Sequence, residues 1–151
     1  MELLDIVAIL SVGTLIGAEF AVSAFVNPIL GRLSQGAEAE ATRLFAILLG
    51  RVMPFWYAFC FLGLLAESAL RFRKDGFALL ALSSAIWMAV ILLSVFVLVP
   101  INNRIAKMRS DDFDVELRRQ QKRWNRLHMG RVFLLVVAIV CLLHAILVRI
   151  C

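Results

Sequence analysis

The sequence predicts an all-α integral membrane protein, a four-helix bundle with a short interfacial helix after helix 1 and an extended helix leading into helix 4. Three observations carry this. Of 151 residues, 62% are apolar, against about 45–50% in a soluble domain, and the mean hydropathy is +0.90. Four apolar runs, near 3–26, 52–70, 77–99 and 132–150, each reach the roughly 18 residues needed to cross a bilayer. Backbone polar groups in hydrocarbon must be satisfied within their own segment, so these runs are helices and not open strands. One membrane domain over residues 1–151 follows.

The first run opens with Glu2 and Asp5. A signal peptide needs a positive n-region there, so Val22-Ser23-Ala24 is read as retained helix and not as a cleavage site. Gly13, Gly17, Ala21 and Ala24 form a small-residue stripe suited to close helix approach, in the bundle or in a homodimer. Glu19, Ser23 and Asn27 recur at i, i+4, i+8 and share another face. Glu19 is the one carboxylate well inside an apolar run, and acids there usually face a cavity or a partner. Pro28 and Gly31 are expected to end this helix.

Residues 37–49 have helix-forming composition, with Leu44, Ile47 and Leu48 opposite Glu38, Glu40 and Arg43, so a short interfacial helix is expected. Arg51 and Pro54 then open helix 2, Pro54 in its first turn, with Trp56 and Tyr57 in the interfacial aromatic belt. Glu67 stands four residues before Arg71, an ordinary pair at the helix exit. Arg73-Lys74-Asp75-Gly76 turns tightly into helix 3, where Ser84, Trp87, Ser94 and Asn102 line one side and Pro100 is expected to kink the end.

Ser110-Asp111-Asp112 supplies an N-cap with acids in the first turn. Leu117, Gln121, Trp124, His128 and Arg131 follow at 4, 3, 4, 3 spacing, a single stripe running into helix 4. Arg118, Arg119, Lys122, Arg123 and Arg126 lie off it as a basic surface. Cys60, Cys141 and Cys151 show no disulfide or zinc spacing and read as packing residues, as does His144.

Net charge is +5. In a membrane protein this points to anionic lipid and the cytoplasmic side, not to nucleic acid. The 27–51 and 100–131 connections carry twelve of the sixteen Lys and Arg. The expected location is the bacterial inner membrane, with these connections cytoplasmic and both termini outside.

Polar groups thus converge on one membrane face: Glu19, Ser23 and Asn27 from helix 1, Asn102 and Asn103 from helix 3, Trp124, His128 and Arg131 from helix 4. An imidazole and a carboxylate in low dielectric suit proton abstraction from a weak acid. Asn amides and an Arg suit a carbonyl or developing oxyanion. His144 is sixteen residues from His128, about 24 Å along a helix, so the two cannot share a metal or a haem. No cofactor is expected, since no ligand-spacing motif is present; a haem or mononuclear metal at His128 stays open.

Val99-Pro100-Ile101-Asn102-Asn103-Arg104, with Trp124-x-x-x-His128-x-x-Arg131 and a first helix carrying Gly17, Glu19 and Asn27-Pro28, resembles the anthrone-oxygenase-like family of small integral membrane proteins. The resemblance covers most of the chain. It implies insertion of oxygen into anthrones, flat tricyclic phenols that partition into lipid. A base would remove a proton from the benzylic CH₂ and the carbanion would react with O₂, without a cofactor. On that reading Glu19 and His128 are catalytic, Asn102, Asn103 and Arg131 bind the oxyanion, Trp124 is a flat wall, and Asn27 completes the substrate site.

Two expectations follow from different classes. The first is a membrane-embedded oxygenase-like protein acting on or binding a lipophilic aromatic or quinone-type molecule. The second is a non-catalytic carrier or accessory subunit with a structural polar cluster, docked on anionic lipid through residues 118–126.

Overall fold

A computed structural model describes residues 3–107 and 115–148. Among them the chain is helical, in four helices long and apolar enough to span a membrane. These are α1 (Leu3–Leu30), α2 (Gln35–Leu70), α3 (Phe77–Ala106) and α4 (Val115–Val148). Each helix packs on its chain neighbours, and α4 closes the ring against α1. The shared core holds Leu15, Leu64, Leu80, Trp87, Leu135 and Leu142, while many other large apolar side chains face outward. Such an inside-and-outside apolar surface is stable only where hydrocarbon covers the exterior.

The expected interfacial helix is not a separate element. Residues 37–49 are helical, but α2 runs unbroken for 36 residues with Pro54 inside it. Nothing from 35 to 49 breaks a helix except Gly36, and Pro54 removes only one i→i−4 bond. At about 1.5 Å per residue, α2 and the 34-residue α4 exceed the roughly 30 Å hydrocarbon thickness. Their N-terminal portions run on together at one end of the bundle, joined by Arg118–Glu38 at 3.4 Å and Gln121 donating to Thr42 at 3.3 Å. There the buried face of α2 is Ala39, Thr42 and Ala46, with Leu44 and Leu48 turned outward. Small residues are used because this face meets Ile101, Ile105 and Ala106 of α3 directly.

Pro28 does not end α1, which stops at Gly31, and α3 continues past Pro100. Each proline is preceded by a π-helical turn, Val22–Val26 before Pro28 and Ser94–Leu98 before Pro100. The widened turn closes with Asn27 N–H on Val22 O, and Val99 N–H on Ser94 O, so the helix continues past the residue that cannot donate. α1 therefore reaches Leu30 and α3 reaches Ala106. Ser23, inside the first π turn, is buried with no hydrogen-bond partner for its hydroxyl.

At the other end, the 71–76 turn needs Gly76. Its φ is +81°, and a Cβ there would lie 2.6 Å from the carbonyl oxygen of Ala145. The Glu67–Arg71 pair is present at 3.2 Å but is buried, and Arg71 also bonds Asp5 of α1. It is a tie between helices and not a surface pair. His144 is exposed on α4 and Gly17 is exposed with open space beside it, so neither belongs to the core. Arg118, Arg119, Lys122, Arg123 and Arg126 are exposed. The expected N-cap at Ser110-Asp111-Asp112 and Cys151 lie outside the described residues.

Candidate active site

Glu19 is the hub. It is 2% exposed, in the last α-helical turn of α1 before the π segment, with its carboxylate turned into the bundle. An uncompensated charge in this setting would cost several kcal/mol, so partners are obligatory. Arg131 of α4 donates from Nη2 to Oε2 at 2.6 Å, and Tyr57 of α2 donates its hydroxyl to Oε1 at 2.9 Å. Arg131 Nη1 donates to Ser94 Oγ of α3 at 3.1 Å, and Ser94 in turn donates to Val90 O at 2.7 Å. All four helices thus meet at one ion pair.

His128, one turn before Arg131, is 1% exposed. Its Nδ1 lies 2.8 Å from Arg131 Nη2 and 3.2 Å from Glu19 Oε2, and its Nε2 lies 3.3 Å from the Glu19 carbonyl oxygen. Guanidinium nitrogens only donate. The closer contact therefore makes Nδ1 the acceptor and places the ring hydrogen on Nε2, directed at the Glu19 carbonyl. Reading the 3.2 Å approach as a salt bridge would need a hydrogen on Nδ1, which the Arg131 donor opposes. Two acceptors, Nδ1 and Oε2, consequently face one another across 3.2 Å with no hydrogen assigned between them. Trp124 covers the imidazole, with ring centroids 4.5 Å apart and planes 14° from parallel.

These groups border a cavity of about 260 Å³, a little below the roughly 300 Å³ at which small-molecule sites begin. Glu19, Tyr57, Ser94, His128 and Arg131 form its polar wall; Met53, Pro54, Ile91, Val95 and Leu98 are among the apolar residues opposite. An ionised carboxylate has about four acceptor positions. Tyr57 and Arg131 supply one donor to each oxygen, leaving capacity for a donor presented from the cavity.

The structure brings Glu19, His128, Arg131 and Trp124 together, and places Asn102 and Asn103 on the same cavity. Asn102 has a structural job: its Nδ2 donates to Ala46 O at 2.9 Å, tying α3 to α2. Asn27 does not reach this cavity and lines a separate hollow of about 40 Å³ beside Thr42, Gln121 and Asn125. Arg131 is engaged with Glu19, His128 and Ser94 instead of standing free for an oxyanion; its Nε is buried without a partner.

Tyr57 is the residue that sequence reasoning misplaced. Expected in an aromatic belt, it is buried, with the Arg131 guanidinium 5.3 Å from its ring centroid and Trp87 donating to its backbone oxygen at 3.2 Å. The available signal was the stripe Gly50, Met53, Pro54, Tyr57, which becomes visible only if α2 is continuous through Pro54. Among the described residues no group of three His, Cys, Asp or Glu side chains is placed to hold a metal ion.

No curated protein and no solved structure matches the chain significantly. The family model for anthrone oxygenase matches residues 6–141, from the first turn of α1 into the second half of α4, and so takes in every helix that contributes to the Glu19 cluster. The chain belongs to the anthrone oxygenase family.

Proposed function

We propose that the protein is a membrane-embedded oxygenase that converts a lipophilic anthrone-type phenol to the corresponding quinone, using the Glu19–His128 pair to take the proton. The supporting observation is the buried 3.2 Å approach of Oε2 of Glu19 to Nδ1 of His128 at the wall of a largely apolar cavity. A proton removed from the benzylic CH₂ by Glu19 comes to rest between these two acceptors, where it turns a repulsive contact into a hydrogen bond. Arg131 and the Tyr57 hydroxyl balance the charge before and after transfer.

The balance closes with O₂ alone. Loss of the proton leaves a carbanion stabilised through the aromatic rings; carbon bonds to one oxygen of O₂, and reprotonation gives a hydroperoxide. The remaining C–H proton leaves, the O–O bond breaks, and water departs as the C=O forms. One anthrone and one O₂ become one anthraquinone and one water. Trp124 offers the flat ligand a wall beside the imidazole. The two long connections, rich in Lys and Arg, lie at the cytoplasmic face, with both termini outside.

A non-catalytic binding role is the competing reading. It draws on the same bonds, because every nitrogen of His128 and both oxygens of Glu19 already have partners. Oxygen uptake by the protein in vesicles, followed with the absorbance of anthraquinone, separates the two. The oxygenase reading expects one O₂ consumed per quinone at a rate well above protein-free vesicles. Saturable anthrone binding with no acceleration would leave a carrier.

A further inference from the structure

The cavity is asymmetric in a way that bears on how it fills. Its charged and imidazole groups, Glu19, His128 and Arg131, come from α1 and α4, whereas α2 and α3 supply most of the apolar lining, with Tyr57 and Ser94 reaching in from them. On α2 the seam with α3 is built from Gly50, Pro54 and Ala58, small residues at i, i+4, i+8 that are all exposed. Across from them stand Val95 and Val99 of α3, 52% and 39% exposed. Residues that line the cavity are therefore also on the outer surface of the bundle. Next in sequence to Pro54 and Val95 are Phe55 and Phe96, 80% and 73% exposed, side chains suited to hydrocarbon.

The way toward the connections is different. There the Asn102 side chain bonds Ala46 O and bars the space between α3 and α2, and it lies so close over Gly50 that a Cβ on Gly50 would be 3.0 Å from Nδ2. Beyond it lies a hollow of about 40 Å³. That volume holds a few waters, at roughly 10–15 Å³ of probe volume each, and not a tricyclic ligand.

We propose that the site is loaded sideways from the bilayer, a flat apolar substrate sliding between α2 and α3 past Ala58 and Val95, while the narrow hollow beyond Asn102 admits water only. This rests on the proposed function for the identity of the ligand, but the opening itself can be tested without any substrate.

The test uses Ser94→Cys, which places a thiol on the cavity wall, with the full chain in phospholipid vesicles. Labelling at position 94 is followed by mass spectrometry with two probes, lipid-soluble N-phenylmaleimide and a membrane-impermeant sulfonated maleimide presented on both sides. Ala58→Trp and, from the other side of the seam, Val95→Trp serve as plugs, and Val26→Phe narrows the small hollow. The lipid-soluble reagent is expected to react at least tenfold faster than the sulfonated one. Either folded plug should slow it at least tenfold, and Val26→Phe should change it less than twofold. Equal labelling by the two reagents, no labelling by either, or slowing by Val26→Phe and not by the plugs would overturn sideways loading. None of these outcomes touches the oxygenase reading, and absence of turnover with the labelling pattern intact would remove that reading alone.

Discussion

Nη2 of Arg131 lies 2.6 Å from Oε2 of Glu19 and 2.8 Å from Nδ1 of His128, so one nitrogen binds the acid of the first span to the imidazole of the last. This contact gives Glu19 a structural role beside the chemical one proposed for it, and the two separate experimentally. Glu19→Gln leaves a buried guanidinium without its counter-charge, which should cost about 3–5 kcal/mol of stability. Adding Arg131→Met removes that charge and should recover much of the loss in thermal unfolding in detergent, while turnover stays absent. Recovery of turnover in the double variant would show that Glu19 is scaffold only.

Tyr57→Phe deletes the hydroxyl that donates to Glu19 Oε1 and keeps the ring under Arg131. A hydrogen bond to a charged group contributes about 1.5–3 kcal/mol. The variant should fold, unfold at lower temperature, and turn over at least tenfold more slowly. Unchanged rate and stability would mean that the hydroxyl does not support the carboxylate.

At the far end of the bundle, Arg71→Met should destabilise by about 3–5 kcal/mol, because Asp5 and Glu67 would remain buried around an apolar side chain. The measurement is again thermal unfolding. Since the cluster is remote from the cavity, the residual folded protein should keep its rate per molecule.

Gly76→Ala is predicted to cost more than about 1 kcal/mol, from positive φ and from the Cβ that would press on Ala145 O at 2.6 Å. Gly17→Ala is the matched control, with open space at its Cβ and a gain in helix propensity, and should be neutral or slightly stabilising.

Much of this was legible from composition and periodicity. Four apolar runs gave four spans, and the 4, 3, 4, 3 stripe put Trp124, His128 and Arg131 on one side of α4, where the structure has them. Glu19 stood out because a lone acid in an apolar run must find a partner, and its partner is Arg131. Local rules failed where tertiary packing outweighed them. Pro54 and Pro28 read as boundaries, yet α2 runs through one and a π turn carries α1 past the other. The same π turn altered the helical count after Glu19, and Asn27 lines the smaller hollow instead of the cavity. Tyr57 looked like an interfacial aromatic because the start of α2 was placed near Arg51, some sixteen residues late. Asn102 could not be seen as a latch, since its acceptor is a backbone oxygen 56 residues away.

Under the proposed function Glu19, backed by His128, removes a proton from a carbon acid held in the cavity. Anaerobic exchange of the anthrone CH₂ protons in D₂O tests this step without oxygen, by NMR of substrate recovered from vesicles. Exchange is expected well above the protein-free rate for the natural chain, with at least a hundredfold loss in the folded Glu19→Gln/Arg131→Met variant. Exchange at the protein-free rate in the natural chain, or undiminished exchange in that variant, would contradict it.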